Sequence, residues 1–310
     1  MTPTRRIMPL WLAIWLGAGW TTVFADSLPP PAATFRVATY NVENWLRMER
    51  QRRPDRPKPE PAKQAVLTVL AEVKADVLAL QEMGDTNDLA EVADGLAARG
   101  LVYPHREWLR GADPVRHVAL LSRFPITERF SRSDYTFTLG TNVIAFQRGV
   151  LDVNVQVHER YAFRALVVHL KSRREVPEFD QAQARLNEAQ LLRAHIGKIL
   201  KEDHERNLLA MGDFNDTPDS APVRAVIGEP PFQLIALPAQ TGRGYTGTHL
   251  WRGRREWSRI DYLIASPGMA REYVTGSARV GEHPASETAS DHRPVWADFV
   301  AEDRAAATPD

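Results

Sequence analysis

The sequence predicts a mixed α/β domain with its helices outside its sheets, and three observations predict it. Early in the chain, short apolar strand-like runs alternate with segments whose apolar residues recur at helical spacing. Later, paired strand-like runs dominate. The chain of 310 residues has an ordinary apolar fraction of 44%, enough for one sizeable core. There is no repeat and no sign of a second domain. Formal net charge is zero, which excludes a surface that is wholly a polyanion trap but leaves room for a local basic patch. Cysteine is absent, so disulfides, thiolate metal sites and cysteine nucleophiles are excluded.

The N-terminus reads as a signal peptide over residues 1–25. Arg5 and Arg6 form a positive n-region, Met8 to Trp20 an apolar stretch, and Val23-Phe24-Ala25 a small-residue cleavage pattern. An uncleaved anchor is the alternative, although the apolar run falls short of the roughly 20 residues that a membrane span needs. Residues 26–33 are a Pro-rich linker, 34–300 the folded domain, and 301–310 a polar tail expected to be disordered.

Thr34 to Tyr40 alternates apolar and polar residues and predicts the first strand. Arg47 to Glu60, rich in Pro and charge, is expected to be a loop. Pro61 suits a first helical turn, and Val66, Val69, Leu70 and Val73 follow on one helix face. Asp76 to Leu80 predicts a buried strand. Asp85 to Arg99 predicts a helix, with Gly100 just past its end. His117 to Leu121 is the next strand. Gln147 to Val157 and Tyr161 to Leu170 form an expected pair. Gln181 to Leu200 is the longest helix, with Ala189, Leu192, Ile196 and Ile199 as its inner stripe. Asn207 to Met211 is a strand. Tyr245 to Trp251 and Trp257 to Ala265 flank a hairpin turn, Arg252 to Arg255. Val295 to Phe299 is the last strand.

Polar residues recur at the ends of these strands: Asn41, Gln81-Glu82, His169, Asp213 with Asn215, Asp261, and Asp291-His292. Strand-end loops are where a rigid scaffold presents functional groups. Taken singly, each residue has an ordinary use. Asn41, Asp213 and Asn215 serve as caps, Glu82 as a solvated acid, and His169 and His292 as packed rings. Asp261 is different, because a carboxylate inside an apolar strand needs a partner in any case. Together the set is mainly oxygen donors plus imidazole, a chemistry that suits a hard cation such as Mg²⁺.

The segments Tyr40-Asn41-Val42-Glu43-Asn44, Leu80-Gln81-Glu82, His169-Leu170-Lys171-Ser172, Gly212-Asp213-Phe214-Asn215, Arg259-Ile260-Asp261-Tyr262 and Ser290-Asp291-His292 occur in this order from Thr34 to Phe299. In motif, order and spacing the chain resembles the endonuclease/exonuclease/phosphatase family of metal-dependent phosphoesterases. The resemblance implies a four-layer sandwich, two mixed β-sheets face to face with helices on the outside. It implies that Asn41 and Glu82 bind Mg²⁺ or Mn²⁺, with Asp291 assisting. His292 would be general base or electrostatic partner, oriented by Asp261. Asp213 and Asn215 would position water and phosphate or help to hold a second metal, and His169 would bind a phosphate oxygen. In pancreatic-type DNases a carboxylate supports the histidine matching His169; the corresponding stretch here is Arg116-His117.

The expected substrate is a phosphodiester, with nucleic acid the leading case and a lipid or small phosphate ester the alternative. An inactive binding module on the same fold is the third reading, and the intact residue set argues against it. Basic segments at Arg47 to Glu60, at Arg173-Arg174, and at Arg252, Arg254, Arg255 and Arg259 with Trp251 and Trp257 could meet a polyanion or be plain solvated faces. A secreted or periplasmic monomer is expected, without a membrane span once the signal is removed.

Overall fold

The structure is a computed structural model, and it describes residues 34–174 and 179–305. The expected signal peptide and linker, and residues 306–310 of the tail, lie outside the described residues. The chain runs β1 (Thr34–Trp45), β2 (Met48–Arg50), β3 (Arg53–Arg56), α1 (Glu60–Val73), β4 (Val77–Met83), α2 (Thr86–Ala97), β5 (His105–Leu109) and β6 (His117–Ser122). It continues with β7 (Ile126–Arg129), β8 (Thr136–Leu139), β9 (Asn142–Ala145), β10 (Leu151–His158), β11 (Tyr161–His169), α3 (Gln181–Glu202), β12 (Leu208–Asp213) and α4 (Ala221–Ile227). It ends with β13 (Ile235–Ala236), β14 (His249–Trp251), β15 (Glu256–Ser258), β16 (Asp261–Ala265), α5 (Pro267–Glu272), β17 (Arg279–Val280), α6 (Ser286–Ala289) and β18 (Val295–Val300).

Two six-stranded sheets form the body, ordered β17-β18-β1-β4-β6-β5 and β13-β16-β12-β11-β10-β7. Each is mixed for the same reason. A helical crossover joins one parallel pair in each sheet, β1 to β4 through α1 and β11 to β12 through α3, and the other pairs are antiparallel.

Strands in such a sandwich are apolar on both faces, and alternation sorts the side chains between layers. Phe35 and Val37 of β1, with Val77 and Ala79 of β4, join Phe163, Ala165 and Val167 of β11 and Leu209 and Met211 of β12 between the sheets. The intervening Ala38, Tyr40 and Val42 pack instead with Val66 and Leu70 of α1 and Val92 and Leu96 of α2. Leu166, Val168 and Ala210 pack with Ala189, Leu192 and Ile196 of α3. The order of layers is therefore helices, sheet, sheet, helices, as the resemblance implies.

Local chemistry sets the helix ends. Pro61 lies in the first turn of α1, where its missing N–H costs nothing, and Lys74 closes that helix in the left-handed region. Asp85 caps α2 in a reciprocal capping box with Asp88.

Several expectations change, among them the strand expected from Tyr245, which begins only at His249. Arg47 to Glu60 is not a plain loop, because β2 and β3 pair across Gln51 and Arg52, both at positive φ (51° and 60°). That is the sign of φ that a two-residue hairpin turn requires, supplied here without Gly or Asn to signal it. Trp257 to Ala265 is not one strand: Thr248 Oγ1 accepts the N–H groups of Ile260 (3.0 Å) and Asp261 (3.1 Å), which separates β15 from β16. The strand expected from Gln147 starts only at Leu151, beyond the turn at Gly149 (φ 68°). At the C-terminus the chain does not leave the body at once, since the Ala301 carbonyl oxygen contacts His158 Nε2 at 2.8 Å and Asp303 accepts from Asn207. Among the described residues no helix is long and apolar enough to cross a membrane.

Gly212 marks the tightest approach beside the polar strand ends. Its φ is 141°, and a Cβ there would lie 2.0 Å from the Val168 carbonyl oxygen on the neighbouring strand. Gly212→Ala is expected to cost roughly 3 kcal/mol or more. The check is thermal unfolding followed by circular dichroism, where a drop of roughly 6–12 °C is expected.

Candidate active site

The interlayer face of each central strand is apolar for most of its length and polar at one end. On β11, Phe163, Ala165 and Val167 lead to His169; on β12, Leu209 and Met211 lead to Asp213; on β16, Leu263 leads back to Asp261. Register aligns these ends, because His169 pairs with Asp213 and Asp213 with Asp261. In the facing sheet Asn41 pairs with Gln81 at the corresponding strand ends. The two rows meet where Asn41 Nδ2 donates to Asp213 Oδ2 at 3.1 Å.

Left-handed residues then break the alternation. Glu43 (φ 47°) and Asn44 (φ 58°) displace the end of β1, and Glu82 (φ 62°) displaces β4 beside it. The kinks bring Glu82 Oε2 to the Asn44 N–H at 2.9 Å. Asn215 (φ 53°) turns in the same way after β12; its N–H donates to Asp213 Oδ1 (2.8 Å) and its Nδ2 to the Leu170 carbonyl (2.9 Å). Strain of this kind concentrates at functional sites.

His292 reaches the row from the segment before β18. Its N–H donates to Ser290 Oγ (3.0 Å), and that hydroxyl donates to the Asn41 carbonyl (2.8 Å). β14 holds this segment from the other side, the Leu250 N–H donating to the Asp291 carbonyl at 2.7 Å. His292 Nδ1 lies 2.9 Å from Asp261 Oδ2, and Nε2 lies 3.8 Å from Asp213 Oδ2 and 3.9 Å from Asp291 Oδ1. Asp261, Asp213 and His292 are all buried.

Burial alone would lower the His292 pKa. The Asp261 and Asp213 carboxylates outweigh it and hold the imidazole well above its ordinary value, favouring its cationic form. Burial, reinforced by Asp261, pushes Asp213 up to about 7 against the pull of His292. His169 goes the other way. Burial, then the Arg148 and His292 charges, hold it well below the ordinary range, so it is neutral. Its Nε2 lies 3.4 Å from Asp213, and its Nδ1 has no hydrogen-bond partner among the described residues. Arg116, in the stretch compared with the DNase carboxylate, turns to Asn44 Oδ1 (2.8 Å).

A cleft of about 1000 Å³ opens over this floor, with Glu82, Asn44 and Arg116 on one wall and His249 to Gly253 on another. The structure thus brings together all eight residues singled out in the sequence. Glu82, Asp213, Asp291 and Asn215 line the cleft with His169 and His292, while Asn41 and Asp261 support it from beneath. The donor chemistry of carboxylates and amides fits a hard divalent cation. Asp261 Oδ1 is buried without a hydrogen-bond donor among the described residues.

Sequence reasoning missed Asp113, Arg148 and His249 among the lining residues. Arg148 is buried beside Asp113 (Nη2 to Oδ2, 3.0 Å), with Nε and Nη1 unpartnered among the described residues. Its one sequence signal is Arg148-Gly149 directly before a strand. His249 lies with its ring centroid 4.7 Å from that of His292 and its Nε2 3.9 Å from Asp291. His249, Asp291 and His292 form a second group able to hold a metal. Arg259, grouped above with the basic hairpin, turns inward: it donates to the Leu237 carbonyl and lies over Tyr262.

A family model described as the Endonuclease/Exonuclease/phosphatase family matches residues 38–292. Solved structures share the fold. An endonuclease/exonuclease/phosphatase from Bacteroides vulgatus is 19% identical, with 87% of this chain and 100% of that one covered and a TM-score of 0.61. Truncated TDP2 of Caenorhabditis elegans is 16% identical, covering 86% and 98%, with a TM-score of 0.59. Sphingomyelinase C of Streptomyces griseocarneus is 16% identical, covering 86% and 100%, with a TM-score of 0.57. No curated protein matches the sequence significantly.

The charge trio gives a pH prediction. Because the folded-state pKa of His292 is raised, the stability it contributes is fully present below the ordinary histidine value and is lost as pH rises through the raised one. Asp261→Asn is expected to lower the imidazole's titration midpoint and flatten that alkaline loss. Histidine NMR titration and urea unfolding at several pH values, both on metal-free protein, are the checks.

Proposed function

The chain belongs to the endonuclease/exonuclease/phosphatase family, and on that premise we propose that it is an exported, divalent-metal-dependent phosphodiesterase acting on nucleic acid. The observation that carries the reading is the buried Asp261–His292–Asp213 cluster on the floor of a cleft with Glu82 on its wall. A diester phosphate is anionic, so a site must neutralise its oxygens, present water in line and stabilise the departing oxygen. Glu82, supported by Asn41, is the proposed holder of the ion, which when bound supplies a Lewis acid to the phosphate.

The residues divide the remaining work. His292, whose cationic form Asp261 favours, faces the phosphoryl oxygens as an electrostatic partner in this reading, the role that its raised pKa supports over that of general base. Asp213, raised to about 7, is poised to accept the proton from water, and Asn215 fixes its orientation. His169, neutral and able to donate a hydrogen bond, is the proposed contact to a phosphate oxygen. Export rests on the Arg5-Arg6 n-region and the apolar run after it.

A lipid phosphoesterase is the second reading, supported by Trp251, 50% exposed at the cleft rim. The other aromatic of that hairpin offers no second anchor, because Arg293 covers the Trp257 ring with its guanidinium carbon 3.6 Å from the centroid.

Turnover of duplex DNA, single-stranded DNA, RNA, sphingomyelin and a chromogenic diester is expected to favour a nucleic acid, to vanish in EDTA and to return with Mg²⁺ or Mn²⁺. Glu82→Gln is expected to raise the metal concentration required. Full turnover in chelator would sink the metal role. His292→Ala is expected to cost about 10²–10³-fold in kcat. Adding Asp261→Asn to it is expected to cost little more, because residues acting as one unit are not additive. Multiplicative losses in the double variant, checked for folding by circular dichroism, would separate the pair.

A further inference from the structure

Two basic hairpins are tied to the cleft wall, β14–β15 lining it directly and β2–β3 reaching it through Asn44, and the chemistry above uses neither. β2–β3 carries Arg50, Arg52, Arg53 and Arg56, and β14–β15 carries Arg252, Arg254 and Arg255. Both are anchored at one point, the left-handed pair Glu43-Asn44. From β2, Arg50 Nη2 donates to the Asn44 carbonyl at 2.7 Å. From the other hairpin, Arg252 donates to the Glu43 carboxylate, the Nη2 bond being 2.9 Å. Lys58, following β3, donates from Nζ to the Glu43 carbonyl at 3.0 Å. Asn44 in turn donates its N–H to Glu82. The hairpins are therefore linked through Glu43 and Asn44 to the backbone that contacts the proposed metal ligand.

Their outward side chains are different in kind from these anchors. Arg52, Arg53, Arg56 and Arg255 are exposed and make no side-chain hydrogen bond or ion pair among the described residues. Nearby, Arg47 is neutralised by Asp55, and this marks which cations are left over. On the second hairpin Trp251 is half exposed, and Arg254 lies 5.2 Å from its ring centroid. Unneutralised arginines spread over two paired ribbons match a repeating anion rather than a single phosphate. An exposed indole among them offers a stacking face for an unpaired base. A membrane surface would ask for several apolar anchors, and the ribbons present one.

We propose that β2–β3 and β14–β15 form a two-part track for a single-stranded nucleic acid running out of the cleft, with Arg52, Arg53 and Arg56 contacting phosphates beyond the reacting one and Trp251 stacking a base. The assignment rests on the phosphodiesterase reading and names the form of its substrate.

The test measures binding to the full chain in EDTA, where no turnover intrudes. The probes are fluorescein-labelled single-stranded DNA of 5 and 30 nucleotides, a 30-base-pair duplex, and vesicles of phosphatidylserine and phosphatidylcholine. The wild type is expected to bind the 30-mer strand at least about tenfold more tightly than the 5-mer, with a steep salt dependence. Arg52→Glu/Arg53→Glu/Arg56→Glu is expected to abolish the gain with length and to shrink the slope of log K against log salt by about 0.7 per lost contact. Trp251→Ala is expected to weaken the strand about 5- to 100-fold and the duplex less. All these side chains are exposed, and melting curves confirm that the variants fold. Equal affinity for 5-mer and 30-mer in the wild type overturns the track, as does a triple variant with unaltered length dependence. Binding to vesicles that the triple variant loses, without length-dependent DNA binding, makes the surface a membrane one and overturns it too. Length-dependent binding without hydrolysis of any ester keeps the track and removes the esterase reading. Hydrolysis without length-dependent binding does the reverse.

Discussion

Asp213 and Asp261 sit directly opposite each other on neighbouring antiparallel strands, inside the sandwich and out of water. Like charges so placed repel, and each carboxylate alone would already be costly to bury. The arrangement persists only if positive charge is delivered to the same spot. His292 delivers it, held between the two by the Ser290 hydroxyl and by its own bond to Asp261. Much of the local architecture follows. β14 pins the Asp291-His292 segment, Thr248 turns β16 so that Asp261 faces inward, and Gly212 lets β12 pass close enough to Val168 to keep Asp213 in line. The electrostatic demand also accounts for the opposed shifts, His292 and Asp213 being raised and His169 lowered from their ordinary values.

Strand periodicity explains why so much of this was legible in the sequence. In a strand buried on both faces, residues two apart share a layer. A polar residue two beyond the last interlayer apolar one therefore enters the same layer at its edge. Val167 to His169 and Met211 to Asp213 follow that rule, and Leu263 to Asp261 follows it in reverse. The order of six short motifs carried the fold, now seen as two six-stranded sheets between helical layers. Register was not legible: nothing in the sequence says that Asp213 meets both His169 and Asp261.

The unread features share a cause, which is backbone geometry unannounced by residue type. Glu43, Asn44 and Glu82 adopt left-handed conformations that aim the cleft wall, yet Glu is an ordinary residue for a strand. Gln51 and Arg52 make a hairpin turn without Gly or Asn, so a paired ribbon reads as a charged loop. Arg148 sits in a turn, and its burial depends on Asp113, far from it along the chain. β14 is three residues long, too short to show alternation, and His249 was invisible as a neighbour of His292. Conversely, Arg259 and Trp257 looked like surface groups because composition does not reveal which side chains a neighbouring loop will cover.

The central claim is that this row of strand ends is assembled to hold a divalent ion against a phosphate, with Glu82 as its carboxylate on the cleft wall and the Asp261–His292–Asp213 cluster on the floor. Crystals of the protein soaked in Mn²⁺, with anomalous differences used to place the ion, test it most directly. The account predicts an anomalous peak bonded to Glu82 on the cleft side, within reach of Asn41, and its loss in Glu82→Gln. A protein that binds Mn²⁺ only at His249 and Asp291, or that shows no peak at Glu82 while the crystals still turn over a diester, would contradict it.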